Sequence, residues 1–117
     1  MRRKAELDDA VAEVLRRLGA PRAWINNVGG MAGVPAQPTL DLGAAELERV
    51  VELNLTGTLL ACQSAIGAFL GNADGGAIVN VCSLQGINGS PHLAAYGAAK
   101  AAVVHLTKTL ALEHAPD

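Results

Sequence analysis

Tyr96 is the sole tyrosine of the chain and stands four residues before Lys100, inside a run from Leu93 to His114 whose Ala, Val and Leu residues recur at helical spacing. Residues four apart share a helix face, about 6 Å from one another along the axis. A phenol ordinarily ionises near pH 10, and a cation about 4 Å away at an effective dielectric of 20 favours the phenolate by up to roughly 4 kcal/mol. A tyrosine so placed is suited to giving and taking a proton near neutral pH. The same spacing also arises in helices whose ring packs inward and whose ammonium sits in water, so the pair acquires meaning only from its company.

That company is Asn54, Ser83 and an Asn-Asn turn. Asn54 falls on the apolar stripe Leu47, Val50, Val51, Asn54, Thr58, Cys62, Ile66, Phe69 of a second helical run, Ala44 to Leu70. A buried amide left without partners costs about 1–3 kcal/mol. Asn54 therefore bonds something specific, whether a backbone carbonyl, a structural water or a functional group. Ser83 closes an apolar, β-branched run, where a serine can simply satisfy backbone groups. Asn26-Asn27-Val28-Gly29-Gly30 closes another, and taken alone it signals a turn.

Five elements must position these residues. Lys4 to Leu18 carries Leu7, Val11, Val14, Leu15 and Leu18 on one face, the pattern of a surface helix stopped by Gly19 and Pro21. Ala23-Trp24-Ile25 reads as a buried strand and Val28 to Gly43 as loop; Ala44 to Leu70 reads as one long helix. Ala77 to Cys82 is apolar on both faces, as a parallel strand covered on both sides must be. Leu84 to His92 is a second loop, and Leu93 to His114 a third helix ended by Ala115-Pro116. Helix, strand, helix, strand, helix is an α/β order with a parallel pair joined by a right-handed crossover. In such sheets ligands bind at the carboxyl ends of the strands, where Asn26, Asn27, Gly29 and Ser83 fall. Two strands make a very small sheet with both edges unpaired, so the chain reads as the middle of something larger.

Taken together the residues resemble the short-chain dehydrogenase/reductase family. They occur in its order: Asn-Asn-x-Gly, a helical Asn, a strand-end Ser and Tyr-x-x-x-Lys, with thirteen positions from Ser83 to Tyr96. The resemblance implies a partial Rossmann-type fold, a doubly wound parallel sheet, spanning residues 1–117 as one partial domain. It implies hydride transfer between NAD or NADP and a small-molecule carbonyl or alcohol. Tyr96 then corresponds to the general acid/base and Lys100 to the residue that assists it and bonds the nicotinamide ribose. Ser83 corresponds to the holder of the substrate oxygen and Asn54 to the anchor of a water in a proton relay through Lys100. Asn27 and Gly29 would lie against the adenosine-ribose side of the cofactor. The family's Gly-rich cofactor turn is not found before Met1, nor its substrate lid after Pro116, and Val28 replaces the usual Ala. A truncated form, with its own activity in doubt, is the resulting expectation.

Composition narrows the alternatives. A 50% hydrophobic content with 17% charged residues demands a buried core, and a net charge of −2 offers no surplus for nucleic acid or anionic lipid. No apolar run approaches the roughly 18 residues of a membrane span, and no signal-peptide pattern follows Met1, so the chain reads as cytoplasmic. Aromatics are 3% of residues, which leaves Ala, Val and Leu to fill the core through closely packed helices. Cys62 and Cys82 sit in apolar segments and are expected as buried, reduced thiols; neither they nor His92, His105 and His114 have metal-ligand spacing, so no metal is expected. A reading from another class remains: a non-catalytic association module, a homo-oligomer pairing through helices 44–70 and 93–114.

Overall fold

The structure, a computed structural model, describes residues 2–115; the expected stop at Pro116 lies outside them. Helix α1 (Arg2–Leu18) leads into strand β1 (Ala23–Asn26). Helix α2 (Ala44–Val51) runs through a π-helical turn, Glu52–Thr56, into helix α3 (Gly57–Leu70). Strand β2 (Ala77–Asn80) and helix α4 (Ala94–His114) complete the order. The strands pair in parallel, with Ala23, Trp24, Ile25 and Asn26 opposite Ala77, Ile78, Val79 and Asn80. Strand β1 runs one residue past its apolar run, to Asn26, whereas β2 is shorter than its expected span because Val81 and Cys82 already belong to the loop.

The sequence pattern calls for cover on both faces of the sheet, and the described residues supply one. Helices α3 and α4 cover Trp24, Asn26, Ile78 and Asn80, whereas the cross-strand neighbours Ile25 and Val79 on the opposite face remain 66% and 52% exposed. On the covered face the strands are held in register by side chains. Asn26 Nδ2 donates to Asn80 Oδ1 at 2.8 Å, Trp24 Nε1 donates to Asn26 Oδ1 at 2.7 Å, and Asn80 Nδ2 donates to Thr107 Oγ1 on α4 at 2.9 Å. A one-residue slip would carry both asparagines to the wrong face and leave these groups unpaired.

The long helix is continuous but not regular. Steps of four residues drift around a 3.6-residue helix, and the stripe Val50, Asn54, Thr58, Cys62 is kept buried by the π-turn, which takes up the extra residue. Leu47, expected on that stripe, falls just before the correction and stays exposed. Residues 53–70 contain no charged side chain, and the combined helix Ala44–Leu70 is long and apolar enough, by length and composition, to cross a membrane. This corrects the expectation of no such run: uncharged polar residues interrupt it without lowering its mean hydropathy enough. Here Asn54, Thr58 and Ser64 are turned into protein and hydrogen bonded.

Small residues fill the interior. Val34, Val50, Ala95 and Ala99 form a core into which Ala32, Leu42, Val51 and Tyr96 pack, so a loop residue, α2 and α4 meet with no large ring fully buried between them. Helix α1 docks only by its first half: Val11 is buried, and Asp8 and Lys4 reach Ser64 of α3, while Val14, Leu15 and Leu18 remain exposed. Both cysteines are free, as expected; Cys62 is buried but Cys82 only half so, its thiol donating to Lys100 O at 3.1 Å.

Candidate active site

The site forms where loop 27–43, leaving β1, and loop 81–93, leaving β2, approach the start of α4 and the π-turn. Asn54 is fully buried and satisfied from three directions. Its Oδ1 accepts from Gly30 N at 3.0 Å, and its Nδ2 donates to Gly30 O at 2.7 Å and to Val50 O at 2.8 Å. The amide thus clamps the first loop by both backbone groups of one residue. Thr58 Oγ1 donates to Asn54 O at 2.6 Å, one helical turn back.

Lys100 is 4% exposed, an unusual place for an ammonium, and its Nζ donates to Val81 O at 3.2 Å, just past the end of β2. The same Nζ lies 5.9 Å from the centroid of the Tyr96 ring. Gly29 explains how Asn54 and Lys100 can meet. A methyl group on Gly29 would lie 2.7 Å from Asn54 Oδ1 and 2.9 Å from Lys100 Nζ, closer than atoms tolerate, so the bare backbone is what admits both polar groups. Loop, π-turn and α4 therefore converge on one residue.

Ser83 is extended, with φ −149° and ψ 155°, and caps the one-turn 3-10 helix Leu84–Gly86. Its Oγ accepts from Gln85 N at 3.3 Å and donates to Gln85 Oε1. The turn lies directly on α4. A methyl group on Gly86 would sit 2.9 Å from the Lys100 carbonyl carbon, and one on Gly97 would sit 3.0 Å from Gln85 O. Two glycines, one from each element, thus set the serine's turn against the helical segment that carries Tyr96 and Lys100.

The structure brings Gly29, Asn54, Tyr96 and Lys100 together, with the turn after Ser83 packed beside them. Asn27 is not part of that convergence: it is exposed and makes no side-chain hydrogen bond among the described residues. Sequence reasoning missed Gly30, Val81, Gln85, Gly86 and Gly97. The first two act through backbone groups, which carry no residue signal, and the glycines are legible only once their neighbours are known. Behind the site, burial pushes the Cys62 thiol above its ordinary range, against hydrogen bonds with Asn80 and Asn26 that pull it down. Among the described residues no three His, Cys, Asp or Glu side chains gather as a metal would require.

This arrangement has counterparts among known proteins. A 3beta-hydroxysteroid dehydrogenase from Eggerthella lenta is 40% identical over 113 residues, covering 96% of this chain and 42% of the relative. A protein from Xanthobacter autotrophicus described as an inactive 2-(S)-hydroxypropyl-CoM dehydrogenase is 39% identical over 111 residues, 95% of this chain and 46% of its own length. The crystal structure of an NAD+-bound xylitol dehydrogenase superposes with a TM-score of 0.90 at 31% identity, over 97% of this chain and 42% of that one. The chain thus spans less than half the length of these relatives, and its two strands form part of their α/β Rossmann-type sheet. The family model for short chain dehydrogenase matches residues 1–117, and the chain belongs to the short-chain dehydrogenase family.

Proposed function

We propose that these residues form the proton-transfer centre of an oxidoreductase that moves a hydride between NAD or NADP and a small alcohol or carbonyl compound. The observation that carries this reading is the convergence of buried Asn54 and Lys100 on Gly29, with the Tyr96 ring beside the ammonium. A helix that needed only stability would not bury an ammonium against a single carbonyl at 3.2 Å. An ammonium has three N–H donors, and the bond to Val81 O uses one. The donors that remain suit the hydroxyls of a nicotinamide ribose, so the residues present fit that half of a dinucleotide. Asn27, exposed on the first loop, and Gly29 are the candidates for its adenosine side. When bound, the nicotinamide supplies or accepts the hydride.

Tyr96 takes the hydroxyl proton of an alcohol as its carbon is oxidised, and returns one to the developing alkoxide in the reverse direction. Lys100 holds its positive charge 5.9 Å from the centre of the Tyr96 ring. Ser83 Oγ turns from Gln85 to hold the substrate oxygen, and Asn54 fixes the loop and π-turn through which a water can reach Lys100. Self-association through helices 44–70 and 93–114 belongs to the same proposal, supported by exposed Leu70 and Leu112 on them.

The test uses a form of the protein in which turnover of a secondary alcohol with NAD or NADP is measurable. Tyr96→Phe keeps the ring packing and should lower turnover by about 10²–10⁴ with cofactor affinity nearly unchanged. Lys100→Met should injure both. Near-normal turnover of Tyr96→Phe would make the tyrosine a packing residue and end this reading.

A further inference from the structure

We infer that Gln37 is a positioning residue that ties the start of helix α2 to the start of helix α4, and so sets where Tyr96 stands. This rests on the proton-transfer reading of Tyr96, but the bridge itself is a matter of geometry. Gln37 is two-headed. Its backbone N–H donates to His92 O at 3.1 Å, joining the loop after β1 to the loop after β2. Its side-chain Nε2 donates to Glu46 Oε2 at 2.9 Å, and the same oxygen accepts from Gly43 N at 3.0 Å, the residue that caps α2. Both donors favour the Glu46 carboxylate and hold its acid below the ordinary range, the Gly43 bond more strongly.

At the other end, His92 has φ +67°, a left-handed backbone that a residue with a side chain adopts only when its surroundings impose it. Leu93 follows as the cap of α4, and Tyr96 is the third residue of that helix. The carbonyl taken by Gln37 is thus the last loop carbonyl before that cap. If it were released, His92 could relax and the first turn of α4, with Leu93 O accepting from Gly97 N at 2.8 Å, would lose its anchor. Farther along, Lys100 is fixed independently by Val81. Loss of the bridge should therefore shift Tyr96 relative to Lys100 while leaving the rest of the helix in place.

Amide hydrogen exchange on the chain, followed residue by residue, tests this without cofactor or substrate. In the wild type, the Gln37 and Gly97 amides should report one local opening, with protection factors within about threefold of each other. In Gln37→Ala, exchange at Gly97, the first amide of the helix held by an intrahelical bond, should rise about tenfold while Val103 to Thr107 of the same helix stay unchanged; Gln37→Lys, which can still pair with Glu46, should restore the slower rate. Unequal protection in the wild type, a uniform rise along α4 or no rise at all would overturn the inference. Where turnover is measurable, Gln37→Ala should reduce kcat about tenfold with the cofactor KM within twofold. Protected exchange coupled to Gln37 but no turnover in any form would uphold the bridge and sink the hydride-transfer reading alone.

Discussion

The closest backbone approach near the site makes Gly86→Ala the sharpest perturbation. The added methyl would lie 2.9 Å from the Lys100 carbonyl carbon, 3.0 Å from its oxygen and 3.1 Å from Ala101 N. Ordinary contact begins near 3.5 Å, so the 3-10 turn must retreat from α4 by about 0.6 Å. All three atoms are helix backbone and cannot rotate away, unlike the end of a side chain. Overpacking of this kind costs about 1–3 kcal/mol. Gly86 has no left-handed φ, so conformational strain adds nothing, and reduced freedom of the unfolded chain returns about 0.4–1 kcal/mol. A net loss of about 1–2 kcal/mol is expected in urea unfolding followed by circular dichroism, provided the midpoint is independent of protein concentration. Gly89→Ala, with nothing within 4 Å of its new methyl, is the control and should lie within about 0.5 kcal/mol of wild type. If Gly86→Ala matched that control, the close seating on α4 of the turn that Ser83 caps would be wrong.

Asn54→Leu removes the partner of both backbone groups of Gly30 and should cost about 1–3 kcal/mol in the same assay; a variant as stable as wild type would show that the amide clamp contributes nothing. Stability should fall on acidification, because the Lys4 and Ser64 hydrogen bonds hold Asp8, and the Gly43 and Gln37 bonds hold Glu46, below their ordinary values of 3.8 and 4.5. Depressed acids stabilise the fold above those values, and the contribution is lost as pH drops through the folded-state values; Lys4→Met should shrink the Asp8 share, and urea midpoints independent of pH between about 6 and 3 would contradict this. Leu70→Lys with Leu112→Lys charges the outward faces of the two long helices and should lower self-association in sedimentation velocity, since these residues are 61% and 84% exposed. Unchanged sedimentation of the double variant would move the association surface elsewhere.

Periodicity alone determined the element order, the pairing of Tyr96 with Lys100 on one helix and the burial of Asn54, because each depends on residues within a few turns of one another. The double apolar character of the second strand was equally legible and called for cover on two faces, yet which face the helices take follows from the Asn26, Asn80 and Thr107 bonds across distant segments. Tertiary structure alone decided the π-turn, since a stripe with a four-residue repeat fits a regular helix nearly as well over a short run. It also decided that Asn54 bonds Gly30, 24 residues away, and that Lys100 ends on Val81 and reaches the bare face of Gly29. Those partners are backbone atoms, identical in every residue, so no residue type announces them; only the folding of loop, turn and helix onto one another brings them within reach.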